Sequence, residues 1–191
     1  MTQLNFLIAK EEAPEINISG LTYVPDFITP AEHEFLLSQI DQHPWLTDLK
    51  RRVQHYGYKY DYKARTVGND AYLGLLPIWL SSLSKKLHDD GIFPSAPDQV
   101  IVNEYIPGQG ISAHIDCVPC FAGTIASLSL GSPCIMEFSN PRTEEKNQLF
   151  WKIAALSFFS APPATNGGTP SPPENPMSLM ESKQSVPATS P

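Results

Sequence analysis

The sequence predicts an α+β protein in which helices come first and a β-sandwich or jelly-roll core follows. Two segments before residue 90 carry apolar residues at helical spacing behind capping signals. From residue 100 onward, short β-rich runs alternate with turn residues. No internal repeat divides the 191 residues, a length suited to one domain with its own core.

Residues 1–19 read as an irregular, acidic lead-in, and Gly20 to Ile28 (GLTYVPDFI) as a short strand and a turn. The next segment, TPAEHEFLLSQIDQ, starts a helix: Thr29 caps, Pro30 suits the first helical position and Glu32 places negative charge in the first turn. Phe35, Leu36 and Ile40 are expected on its buried stripe. A second helix is expected over about Pro77 to His88, ending near Gly91. The strands follow: VIVNEYI, GTIASLSLG and CIMEF, separated by Pro107-Gly108 and by Gly131-Ser132-Pro133. Met136 and Phe138 are expected in the core.

Composition narrows the setting. A hydrophobic content of 41% fits a globular protein. No apolar run approaches the ~18 residues of a membrane span, and the N-terminus lacks a basic start before a long apolar stretch. Three cysteines, an odd and small number, suit a reducing cytoplasmic or nuclear compartment. A net charge of -7 argues against a surface coated in cations, though not against a local basic patch.

The chemistry-bearing motif is His114-Ile115-Asp116, after the turn PGQG. At a strand end, residues two apart face one side, so an imidazole and a carboxylate converge there. Such a pair supplies two of the three ligands of a 2-His-1-carboxylate iron site. Taken alone it is a weak signal that favours a surface turn. The preceding run adds Asn103 and Tyr105, which share a strand face and can donate hydrogen bonds to a carboxylate or carbonyl. Cys117-x-x-Cys120 has no second pair to complete a zinc site, even counting Cys134, and reads as thiols.

Together, the run VNEYIPGQGISAHIDCVPCFAGTIASLSLGSPCIMEF resembles the AlkB family of Fe(II)/2-oxoglutarate dioxygenases in motif and order, with the likeness covering about residues 20–150. The resemblance implies a double-stranded β-helix (a jelly roll), Fe(II) on His114 and Asp116, and 2-oxoglutarate contacted by Asn103 and Tyr105. It implies that O₂ and 2-oxoglutarate give succinate and CO₂ while an N-alkyl carbon of a nucleic-acid base is hydroxylated and leaves as an aldehyde.

Lys50 to Arg65 (KRRVQHYGYKYDYKAR) holds six of the 13 Lys and Arg residues and one acid. Tyr56, Tyr58, Tyr60 and Tyr62 alternate and would line one face of a strand. Cations for phosphates and rings for bases suit nucleic acid, while an edge strand with inward aromatics is the competing reading. In AlkB-like proteins the corresponding region covers a flipped base. The substrate candidates are Tyr58, Arg65, Arg52 and Tyr62, and the expected partner is alkylated DNA or RNA, bound by a monomer away from any membrane.

The resemblance fails toward the end. The family carries a second histidine and two arginines on later strands, whereas this chain has no histidine after His114 and no arginine after Arg142. Residues 151–191 hold eight of the 19 prolines and read as a disordered tail. The alternative reading frame across this tail permits a W-x-H-x-I-P-x-R-K-x-D string, with its histidine opposite Thr169. The expectation is therefore a frameshifted tail in place of the closing strands, with impaired iron binding and activity. The competing functions are a nucleic-acid-binding remnant without catalysis and a dioxygenase acting on protein or lipid.

Overall fold

The structure, a computed structural model, describes residues 18, 20–68, 70–114, 123–140, 143–160 and 176–182. Its elements in order are β1 (Leu21–Val24), α1 (Pro30–Asp41), β2 (Arg52–Tyr56), α2 (Ile78–Asp89), β3 (Gln99–Tyr105), β4 (Thr124–Gly131), β5 (Cys134–Ser139), β6 (Lys146–Trp151), β7 (Leu156–Ser160) and β8 (Pro176–Ser182). Six strands form one sheet in the order β1-β7-β4-β8-β3-β2, and β5 and β6 form a second.

Both helices begin as expected. Thr29 and Glu32 close a reciprocal capping box on α1, with Pro30 in the first turn. The buried stripe of α1 is His33, Leu36 and Ile40, whereas Phe35 is half exposed. His33 is held there by a polar contact, since its Nε2 accepts the backbone N–H of Gly131 at 3.0 Å. On α2, Trp79, Leu80, Leu83 and Leu87 face inward.

The helices cover one face of the large sheet. Leu36, Ile40, Leu80 and Leu87 pack against Val100 and Val102 of β3, Ala126, Leu128 and Leu130 of β4, and Leu156 of β7. Gln54 of β2 joins that face and donates its amide to the carbonyls of Ile40 at 2.9 Å and His43 at 3.1 Å. Strand side chains alternate, so the neighbours of these residues point away from the helices. One of them, Phe159, meets Phe138 of β5 with ring centroids 5.8 Å apart. The second sheet thus lies on the helix-free face, and Met136 and Phe138 are half-buried there rather than in the main core.

Two features differ from the expected layout. The four tyrosines do not share a strand face, because β2 ends at Tyr56 and the chain turns at Gly57. Gly57 has φ of +76°, and a Cβ there would lie 1.8 Å from the Asp98 carbonyl oxygen. Tyr56 points into the helix layer beside His43 and Trp79. Burial there pushes its hydroxyl pKa up to about 12.

The second difference follows residue 150. Within the expected tail, of which residues 161–175 and 183–191 lie outside the described residues, Leu156–Ser160 forms β7, antiparallel to both β1 and β4. Pro176–Ser182 forms β8, parallel to both β3 and β4. A strand between two others satisfies backbone groups on both its edges, which composition alone does not reveal.

Gly57→Ala should lower stability by at least about 2 kcal/mol, since both the left-handed backbone and the close carbonyl oppose a side chain. Urea unfolding measures this, and a midpoint equal to that of the original protein would contradict the account of the turn.

Candidate active site

The helix-free side of the β2–β3 pair carries Asn103, Tyr105 and His55. Register places Arg52 opposite Glu104, Val53 opposite Asn103 and His55 opposite Ile101. Opposed residues share a face, so Val53, His55, Ile101, Asn103 and Tyr105 line one side, while Arg52, Gln54 and Glu104 line the other. Asn103 and Tyr105 are both buried.

Arg51, one residue before β2, reaches across this face. Its Nε donates to Oδ1 of Asn103 at 2.7 Å. Its guanidinium carbon lies 5.8 Å from the centre of the Tyr105 ring and 5.4 Å from that of Tyr62. Tyr62 packs in turn 5.7 Å from the ring of His55. Burial raises the Tyr105 and Tyr62 hydroxyls above the ordinary tyrosine range, with the Arg51 charge acting against that rise. Nδ1 of His55 is buried without a hydrogen-bond partner among the described residues, whereas the buried Tyr62 hydroxyl has the Arg51 guanidinium as its polar neighbour. Burial, with Lys59 and Arg51 adding to it, depresses the His55 pKa to about 4. Cys134, at the start of β5, is a half-buried thiol raised by the same cause.

The turn ahead of the HID motif forms as its residues demand. Gln109 N–H donates to the Ile106 carbonyl at 2.9 Å, and Gly108 takes φ of +84°. The Gln109 amide also donates to the Lys50 carbonyl at 2.9 Å, tying this turn to the backbone just before Arg51. His114 follows in irregular, exposed chain. Its Nδ1–H donates to the Ser112 carbonyl at 2.8 Å. With a carbonyl as acceptor the proton sits on Nδ1, and in the neutral ring the lone pair is then on Nε2, one of the two nitrogens through which histidine ligates metals. Asp116, Cys117 and Cys120 lie outside the described residues. Among the described residues, no group of three His, Cys, Asp or Glu side chains is placed to hold a metal. The fit to Fe(II) therefore stands on the His114 tautomer, and the fit to 2-oxoglutarate on the buried donors of Asn103 and Tyr105.

The other sequence-derived candidates are distributed differently. Arg52 lies on the helix side, where it grips the buried Glu104 carboxylate through both Nε (3.1 Å) and Nη2 and stacks 4.7 Å from the Trp45 ring. Tyr58 pairs with Tyr72, their rings 5.2 Å apart, at the surface beyond β2. Arg65 is exposed in a turn closed by Asp61 and Thr66. Only Tyr62 of these four joins Asn103 and Tyr105. Arg51 and His55 were missed by sequence reasoning; their i and i+4 spacing, on the same strand parity as Val53, was the available signal.

With this geometry in view, residues 45–154 match the 2OG-Fe(II) oxygenase superfamily. The chain belongs to that superfamily, whose members work with Fe(II), 2-oxoglutarate and O₂. Within it, the chain is a member of the AlkB family. It is 45% identical over 129 residues to the alkylated DNA repair protein ALKBH8 homolog of Arabidopsis thaliana, covering 65% of this chain and 37% of that protein. It is 41% identical over 133 residues to tRNA (carboxymethyluridine(34)-5-O)-methyltransferase ALKBH8 of Mus musculus, covering 64% and 20%. It is 33% identical over 145 residues to the probable RNA/DNA demethylase ALKBH6 of Danio rerio, covering 74% and 57%. The chain thus spans less than two thirds of each of these relatives.

His55 gives the site a measurable pH signature. Its native pKa of about 4 lies below the ordinary value of 6.5, so the unfolded chain takes up the proton first. Stability should fall as pH drops from about 6.5 toward about 4 and level off below. His55→Gln should remove about 1–2 kcal/mol of that fall, a figure reduced for partial solvent screening. Denaturant midpoints at pH 7 and pH 4.5 measure it, and equal pH slopes for the two proteins would count against the burial of a neutral imidazole.

Proposed function

We propose that this chain is an Fe(II)- and 2-oxoglutarate-dependent dioxygenase acting on alkylated nucleic-acid bases. The single observation that carries the reading is the buried donor face of β3, where Asn103 and Tyr105 sit together beside Arg51. The names of the relatives support the substrate class, since they include an alkylated DNA repair protein homolog and a probable RNA/DNA demethylase.

In this reading His114 and Asp116 hold the iron and Asn103 and Tyr105 orient 2-oxoglutarate. When bound, iron with 2-oxoglutarate and O₂ supplies the oxidising power for hydroxylating an N-alkyl carbon. The protein's own work is to hold the co-substrate against β3 and keep water from it. Buried amide and hydroxyl donors meet carboxylate oxygens in a low-dielectric setting, where such bonds are strong. His114 keeps one tautomer because Ser112 holds its Nδ1–H. Tyr58 and Arg65, with Lys59 and Lys63, offer rings and cations for a base and its phosphates. The double-stranded β-helix is the architecture this reading assigns to the two sheets.

No histidine follows His114 in the sequence to offer a second imidazole as the third ligand. Two protein ligands hold Fe(II) more weakly than three, so turnover is expected to be low and to need excess iron. That same feature favours the second reading, a nucleic-acid-binding chain without iron chemistry.

Succinate release from 2-oxoglutarate, followed with methylated RNA and DNA oligonucleotides, tests the proposal. It should depend on Fe(II) and on the methyl group, and His114→Ala should reduce it at least about 100-fold. Oligonucleotide binding with no iron-dependent succinate at any iron concentration would favour the binding reading instead.

A further inference from the structure

We infer that β8 is a releasable strand whose docking between β3 and β4 is controlled by the charge of Glu181. In the sheet order β1-β7-β4-β8-β3-β2, β8 alone joins the two halves among the described residues. One half is β1, β7 and β4, and the other is β3 and β2. Both ladders of β8 are parallel, with Gln99–Tyr105 along one edge and Ala126–Gly131 along the other. Its withdrawal leaves backbone donors and acceptors of two central strands unpaired. Ser160 pairs with Thr124 and Met177 with Ala126, on opposite edges of β4. Two strand spacings are about 10 Å. The fifteen residues between Ser160 and Pro176 reach up to about 50 Å. β8 can therefore leave its place without carrying β7 with it.

The register shows what opposes docking. Glu181 is in register with Glu104 on one side and with Leu130 on the other. In-register neighbours share a face, and this is the helix side, where Leu130 and Glu104 are both buried. Arg52 already meets both oxygens of Glu104 through Nε and Nη2. Docking thus sets a second carboxylate beside a matched ion pair in a buried layer. From α1, His33 turns its Nε2 to the N–H of Gly131, one register step from Glu181. On α2, Lys85 and Lys86 are paired with Asp89 and Asp90. Like charges side by side on neighbouring strands are destabilising, and burial disfavours the charged form further. A charged Glu181 therefore loosens β8, and neutralising it closes the sheet.

The consequence appears on the opposite face. There Met180 is in register with Asn103 and Ser129, and Ser182 with Tyr105 and Gly131. Docked β8 completes the helix-free side next to Asn103 and Tyr105. Its release opens an edge along the strand that carries them. A charge on one side of the sheet thereby governs how complete the other side is, independently of the reaction proposed above.

Amide hydrogen exchange at pH 7 on the whole 191-residue chain tests this. Glu181→Gln should slow exchange in segments 99–105 and 126–131 by about 5-fold, with α1 and α2 unchanged. Glu181→Asp keeps the charge and should give no slowing. Ser178→Pro removes one ladder N–H and should speed exchange in the same two segments. Unchanged exchange in Glu181→Gln, or equal slowing in Glu181→Asp, would overturn the inference. Slowing that extends equally to the helices would report global stability rather than release of a strand, and would overturn it as well. Unaltered exchange in Ser178→Pro would show that β8 does not occupy the place between β3 and β4.

Discussion

Arg52 and Glu104 face each other across β2 and β3, and the ion pair between them holds the register on which the rest of the site depends. The Glu104 side chain is only 4% exposed, whereas that of Arg52 is 43% exposed. Forming such a pair contributes little net stability, but leaving the buried carboxylate unmatched costs about 3 kcal/mol or more. A slip of one residue would send every side chain of β2 to the opposite face. It would take Gln54 from the carbonyls of Ile40 and His43, and His55 from Tyr62, at once. Polar matching on the helix side therefore secures the arrangement of groups on the other.

Adjacent arginines consequently serve different ends. Arg52 is neutralised by a carboxylate of the protein and stacks on Trp45. Arg51, on the opposite side, is surrounded by an amide and two aromatic rings. These are partners that orient a guanidinium without cancelling its charge. The same field, with burial, keeps His55 neutral across the physiological range. The result is a face with positive charge, neutral donors and no carboxylate of its own among the described residues.

Much of this was legible in the sequence because the signals were local. The Thr29–Glu32 capping box, the Pro107-Gly108 turn and the pairing of Asn103 with Tyr105 each depend on residues within a few positions of one another. The alternating tyrosines misled because one glycine, pressed against Asp98, ends the strand at Tyr56. Arg51 could not be separated from Arg52 by composition; only the strand register assigns them to opposite faces. The pairing of β8 between β3 and β4 was hidden for a different reason. Its stability comes from two neighbouring strands far away in the chain, not from its own alternation.

The central claim is that the β2–β3 face away from the helices is where the co-substrate binds. Amide hydrogen exchange with and without 2-oxoglutarate and Mn(II) tests it most directly. The claim predicts slowed exchange in the segments 50–62 and 99–114, with α1 and α2 unchanged. Slowing confined to the helices, or no change under saturating ligand, would contradict it.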